Sequence, residues 1–141
     1  MRLEAVGVDD VRVQRLVQFY LHEWSARVPM TIGPDARFNY PDLQRFTATL
    51  FFVDDRIAGV ALTAKQGAAT HVEELYMLAG ERRKGTGRQA ARALLASAPG
   101  PWTVTVRDEN PELLAFFRAL KPYAKLEEPA DGTSLLRFTE P

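Results

Sequence analysis

At 141 residues the chain is long enough to bury a two-layer core and is read as a single domain, residues 1–141. Its 18 basic and 18 acidic side chains cancel, and 46% hydrophobic with 26% charged residues is ordinary globular composition, which excludes a chain built wholly to coat nucleic acid or membrane. With no cysteine there is no disulfide, thiolate nucleophile or Cys-based metal site, and His22 and His71 stand too far apart in sequence to form a zinc pair, so no metal is expected.

The opening RLEAVGV predicts a short strand. It lacks the apolar core of a signal peptide, and no run approaches the roughly 18 apolar residues of a membrane span, so a cytoplasmic protein with no membrane partner is expected. Asp9 or Asp10 then caps a helix in which Val13, Leu16, Val17, Tyr20, Leu21 and Trp24 recur at helical spacing as far as about Ser25. Residues 26–43 carry three prolines and a glycine and read as loop, with a short helix near Asp42 to Phe46. TATLFFV and RIAGVALTA form a hairpin across Asp54-Asp55, and HVEELYML, residues 71–78, is a further strand. The period then changes to helical: Ala90, Ala91, Leu94, Leu95 and Ala98 predict a helix from about Thr86 to Ala98, ended by Pro99-Gly100. WTVTV is a strand, Asn110-Pro111 starts a helix that buries Leu113, Phe116, Phe117 and Leu120, and TSLLRF closes the chain as a last strand. The order is that of an α/β sandwich with mixed strand directions.

One stretch carries chemistry. ERRKGTGRQ, residues 81–89, places Arg82, Arg83, Lys84 and Arg88 around Gly85 and Gly87, between a strand and a helix. First-turn amides have no partner inside their helix, glycine admits a ligand to the backbone, and the dipole adds roughly 0.3–1 kcal/mol for an anion, so phosphate fits. The bland alternative is a surface turn of solvated cations. Gly80-x-x-x-x-Gly85 has P-loop spacing, but Thr86 follows where the motif needs lysine. Gly85-Thr86-Gly87-x-x-Ala90 has a dinucleotide-fingerprint form, but six residues separate Leu78 from Gly85.

YMLAGERRKGTGRQAARALL resembles the acyl-CoA motif R/Q-x-x-G-x-G/A of the GNAT N-acetyltransferase superfamily, through Arg82, Gly85 and Gly87. WTVTVRDENPELLAFF resembles the strand, Asn-started helix and aromatic pair that follow the motif in that family, and FNYP with the preceding helix is similar to a small group of acetyltransferases. The resemblance implies a mixed, mostly antiparallel sheet with helices on both faces, splayed between its fourth and fifth strands. It also implies an acetyl-CoA-dependent N-acetyltransferase acting on a primary amine, as monomer or homodimer. Met77 and Leu78 would offer backbone groups to the pantetheine arm, with Met77 N–H near the thioester carbonyl. The amides of Arg83, Lys84, Gly85, Thr86, Gly87 and Arg88 would hold the pyrophosphate, with Arg82, Asn110 and Phe117 completing the cofactor set.

An amine with pKa near 10.4 lies about 3.4 units too high at pH 7, so deprotonation costs about 4.6 kcal/mol and a base is worth seeking. Relatives place a carboxylate at the position of Glu73 or Glu74. Strand alternation from Met77, with no bulge, favours Glu73; a β-bulge would exchange it for Glu74, and His71 is a third candidate. Where many relatives carry a tyrosine that protonates the thiolate, this chain has Phe116-Phe117, leaving Tyr123 or Tyr76 to reach the sulfur. Acceptor contacts are expected from Tyr20, His22, Glu23, Arg37 and Tyr40, although Tyr20 and Trp24 also fall on the apolar stripe. The missing tyrosine motivates an alternative, a weakly catalytic CoA-binding sensor. Nucleic-acid binding is disfavoured because Glu73, Glu74 and Glu81 flank the cations.

Overall fold

A computed structural model describes residues 1–107, 109–120 and 133–138. Six strands, β1 (Arg2–Val6), β2 (Thr47–Val53), β3 (Arg56–Gln66), β4 (Ala69–Met77), β5 (Trp102–Arg107) and β6 (Thr133–Phe138), pair in sequence order. Every neighbouring pair is antiparallel except β4 and β5, which run parallel through α2 (Thr86–Ala96). The other helices are α1 (Val11–Trp24), which connects β1 to β2, and α3 (Pro111–Ala119), which follows β5. The mixed sheet expected from the motif is present.

The sheet has a core on each face. Against one, α1 lays Val13, Leu16, Val17 and Leu21 on Leu50, Phe52, Val60 and Leu62. Against the other, α2 packs Ala90, Ala91, Leu94 and Leu95, and α3 packs Phe117, on Phe51, Val72, Val104 and Val106. Asp10 caps α1 by accepting from Arg12 N at 2.9 Å, and Asn110 caps α3 by accepting from Leu113 N at 3.2 Å. The long loop after α1 contains a single 3-10 turn, Leu43–Arg45, and α2 stops at Ala96, two residues short of the sequence expectation.

Two irregularities position the site. β4 and β5 pair only at Thr70–Trp102, His71–Thr103 and Val72–Val104, so the rest of both strands diverges and opens a gap. Across β4, Leu62 faces Glu74 but Thr63 faces Val72, leaving Glu73 as an extra residue in a β-bulge. Farther along, Gly59 lies opposite Met77, where a Cβ would stand 2.3 Å from Tyr76 O and 2.7 Å from Met77 Sδ; only glycine permits that approach.

Candidate active site

The gap between β4 and β5 opens into a cleft of about 670 Å³. Leu78 N donates to Ala58 O at 2.9 Å, toward β3. By alternation the backbone groups of Leu75 and Met77 turn the other way, into the gap. Met77 is thus the expected residue to offer an N–H there, whereas the Leu78 N–H is engaged by β3, contrary to the expectation that it would face the pantetheine.

One wall is the start of α2. Gly85 is its N-cap with φ 80° and no side-chain cap, so the first-turn amides stay unfilled by the protein's own groups. Arg83 also adopts a left-handed φ of 61°. The loop is anchored from below, where buried Glu81 accepts from Arg56 Nε at 2.8 Å and Nη2 at 3.3 Å. Arg83, Gly85, Gly87 and Arg88 line the cleft; Thr86 is buried, and Lys84 is exposed outside the lining. A Cβ on Gly87 would stand 3.6 Å from Met77 Cγ and 3.9 Å from the Phe116 ring, so glycine keeps this wall open. An uncapped helix start beside two guanidinium groups suits a pyrophosphate.

Arg82, the first residue of the motif, also lines the cleft and is engaged within the protein. Its guanidinium donates to Met77 O at 3.0 and 2.7 Å and forms a bidentate pair with Glu23 at 2.8 and 2.9 Å. It ties α1 to the end of β4, and it holds the Glu23 carboxyl below its ordinary pKa.

The bulge decides where the base candidates lie. Leu75 and Met77 share the α2 face with Val72, while Glu74 and Tyr76 face α1. Bulge-free alternation predicts that Glu73 shares a face with Met77; it does not, because the extra residue resets the alternation at Glu73. Buried His71 meets Thr103 Oγ1 at 2.8 Å through Nδ1, and Glu73 Oε2 at 3.1 Å and Thr105 Oγ1 at 3.3 Å through Nε2. That contact and Arg45 keep the Glu73 carboxyl below its usual pKa. Glu74 behaves oppositely. It accepts from the Tyr40 hydroxyl at 3.0 Å, the Tyr20 hydroxyl bears on it as well, and desolvation pushes its pKa from 4.5 up to about 7. None of the three lines the cleft; Tyr20 does, and it connects the cleft to Glu74.

On α3, Phe117 is 2% exposed and packs on Phe138, so the ring that faces the cleft is that of Phe116. Asn110 lines the cleft while capping α3. Tyr123 lies outside the described residues. Burial, and then the hydrogen bond that its hydroxyl donates to Glu23, raise the pKa of Tyr76.

The acceptor candidates separate. Tyr20 and Glu23 line the cleft, joined by Trp24, which the sequence offered beside them but weighed toward the core, and by Arg27, to which sequence reasoning gave no role. His22 is exposed, its ring 6.4 Å from that of Phe38. Arg37 and Tyr40 line a second cavity of about 550 Å³ between α1 and the long loop. Several of its polar side chains are already engaged: Gln18 brackets Phe38 N and O at 2.8 Å each, and Arg37 donates to Gln14 at 3.0 Å. Among the described residues there is no group of three or more His, Asp or Glu that could hold a metal ion, and no helix is long and apolar enough to cross a membrane.

Residues 13–121 match the acetyltransferase (GNAT) family. No curated protein sequence matches the chain. Among solved structures, an acetyltransferase from Thermus thermophilus superposes with a TM-score of 0.71 at 18% identity, over 99% of this chain and 97% of that one. The PaiA N-acetyltransferase of Thermoplasma acidophilum, solved in complex with coenzyme A, gives 0.66 at 12% identity over 99% of both chains. The ribosomal-protein-S18-alanine N-acetyltransferase of Escherichia coli gives 0.60 at 12% identity, over 98% and 94%.

Proposed function

Because the chain belongs to the GNAT acetyltransferase family, we propose that it transfers an acetyl group from acetyl-CoA to a primary amine, small-molecule or protein-borne, by direct attack on the thioester. The observation that carries this reading is the cleft with two unlike walls: uncapped amides at Gly85 and Gly87 on one, and on the other Tyr20, behind which lies Glu74, a carboxyl hydrogen-bonded by Tyr40 and raised by burial to about 7.

Acetyl-CoA, when bound, supplies an acyl group already activated as a thioester. The amides of residues 83–88 would hold its pyrophosphate, with Arg83 and Arg88 adding charge, and Met77 N–H would polarise the carbonyl oxygen. Phe116 would pack along the pantetheine arm. The ammonium acceptor passes one proton to Tyr20 as Tyr20 passes its own to Glu74, and a base near neutral pKa is matched to that task. The freed nitrogen forms the C–N bond, the C–S bond breaks, and a second proton from that nitrogen goes to the departing thiolate. That route for the second proton follows from Phe116, which has none to give. Glu74 then returns its proton to water, so one amide, one free thiol and one proton result.

Amine-dependent release of free thiol from acetyl-CoA tests this, beside CoA binding by calorimetry. Turnover on at least one amine, reduced by Glu74→Gln with CoA affinity unchanged, is the expected result. CoA binding with no turnover on any amine would instead support the sensor reading that the absence of a tyrosine on α3 favours.

A further inference from the structure

Resting on that reading, the geometry points to the acceptor class: we infer a monoamine whose nitrogen is carried close to a flat aromatic group, rather than a polyamine. The acceptor must approach from the α1 face, because α2 and its amides occupy the other side of the gap. There the cleft is walled by three aromatic rings. Tyr20 and Trp24 lie nearly parallel, 10° between planes and 6.3 Å between centroids, and Tyr76 meets Tyr20 edge-on at 71° and 5.6 Å. All three line the cleft, so their rings are more than core packing. Such a corner favours a planar apolar body by offset or edge contact, and it also favours the ammonium before it loses its proton.

The charges at this end do not favour a polyamine. The two carboxylates lining this end are both neutralised, Glu23 by the bidentate pair with Arg82 and Glu112 by Arg27 at 3.1 Å. A second ammonium would meet no unpaired carboxylate and would approach Arg27 and Arg82 instead. Glu74, behind Tyr20, suffices for one ammonium.

The test uses the full chain with 2-phenylethylamine, hexylamine and spermidine as probes, reading kcat/KM for thiol release and, separately, calorimetric binding of each amine to the CoA-loaded protein. The aryl amine should exceed hexylamine by about 5- to 10-fold in both readouts, the ratio that one aromatic contact supplies, with spermidine below both. Trp24→Leu, which keeps an apolar side chain, should remove that preference and leave the KM for acetyl-CoA unchanged, while Trp24→Phe should restore most of it. Equal or better use of spermidine, or an unchanged aryl preference in Trp24→Leu, overturns the inference. If no amine is turned over, the transferase reading fails, and the binding series still decides the acceptor class.

Discussion

The two walls of the cleft are built by different means. The α2 wall is backbone: an N-cap glycine without a side-chain cap, a second glycine that leaves space against Met77, and amides that any pyrophosphate could use. The α1 wall is side chains, with Tyr20, Trp24 and Glu23 from one helix, Tyr76 from β4 and Arg82 from the loop, held by hydrogen bonds between residues 53 and 59 positions apart. A backbone site tolerates most neighbouring substitutions and fails when a glycine is filled. A side-chain site fails one contact at a time.

The largest expected effect breaks the backbone wall. Gly87→Glu places bulk and negative charge where Gly87 faces Met77 and Phe116, at the start of a helix whose amides would hold an anion. CoA affinity measured by calorimetry should fall by at least about 100-fold, roughly 2.7 kcal/mol, with the circular dichroism spectrum unchanged. By contrast, Lys84→Ala, outside the lining, should change CoA affinity by less than about 3-fold, since one exposed cation contributes little.

On the α1 wall, Glu74→Gln should lower kcat/KM by about 100-fold at pH 7, the lower range for losing a general base. The rise of kcat/KM with pH, centred near 7 in the native chain, should vanish. Stability carries the same signature with opposite sign. Glu74 titrates at about 7 when folded against an ordinary 4.5, so the folded chain holds a proton that the unfolded chain releases. That contribution is fully present below pH 4.5 and is lost as pH rises through 7. Thermal melts of Glu74→Gln should show a shallower decline over that window.

The two walls also differ in how far the sequence revealed them. Gly85, Gly87 and the apolar repeat of α2 lie within a few residues of one another, so their pattern specifies a local structure that packing does not override. The parallel pair and its splay followed from element order and the resemblance. Glu74 could not be singled out, because alternation from Met77 places it on the opposite face, and its partners there, Tyr20 and Tyr40, come from α1 and the long loop and are not marked in HVEELYM; the bulge displaces Glu73 instead. Phe116 and Phe117 are adjacent, and the rotation of α3, set by its packing on β5 and β6, decides which ring enters the core. Trp24 and Arg27 looked like the end of an apolar stripe and the start of a loop; the signal was an aromatic placed where α1 overhangs the gap.

A smaller effect joins the walls. Gly59→Ala would drive a Cβ into Tyr76 O at 2.3 Å, and since backbone cannot yield as a flexible side chain can, β3 and β4 must separate at Met77. A loss of about 1–3 kcal/mol is expected from overpacking, read as a lower denaturation midpoint. CoA affinity should weaken with it, because the strand that shifts is the one presenting Met77 N–H to the gap.

The smallest expected effect tests whether the side-chain wall is closed at its far end. Arg27 donates to Glu109 O and to Glu112 Oε2 at 3.1 Å, tying the residues after α1 to the start of α3 across the cleft. Both side chains are well exposed, 40% and 68%, so the ion pair should contribute no more than about 1 kcal/mol and fade with salt. Arg27→Ala should therefore barely move the melting temperature, and the difference from native should disappear in about 1 M salt, where screening acts within about 3 Å. Its kinetic effect should fall on the acceptor alone, because Arg27 lines the α1 side of the cleft and the amides of α2 lie across it. A change in acceptor KM with acetyl-CoA KM unaltered would separate the two walls, whereas equal changes in both would mean that the contact sets the width of the whole gap.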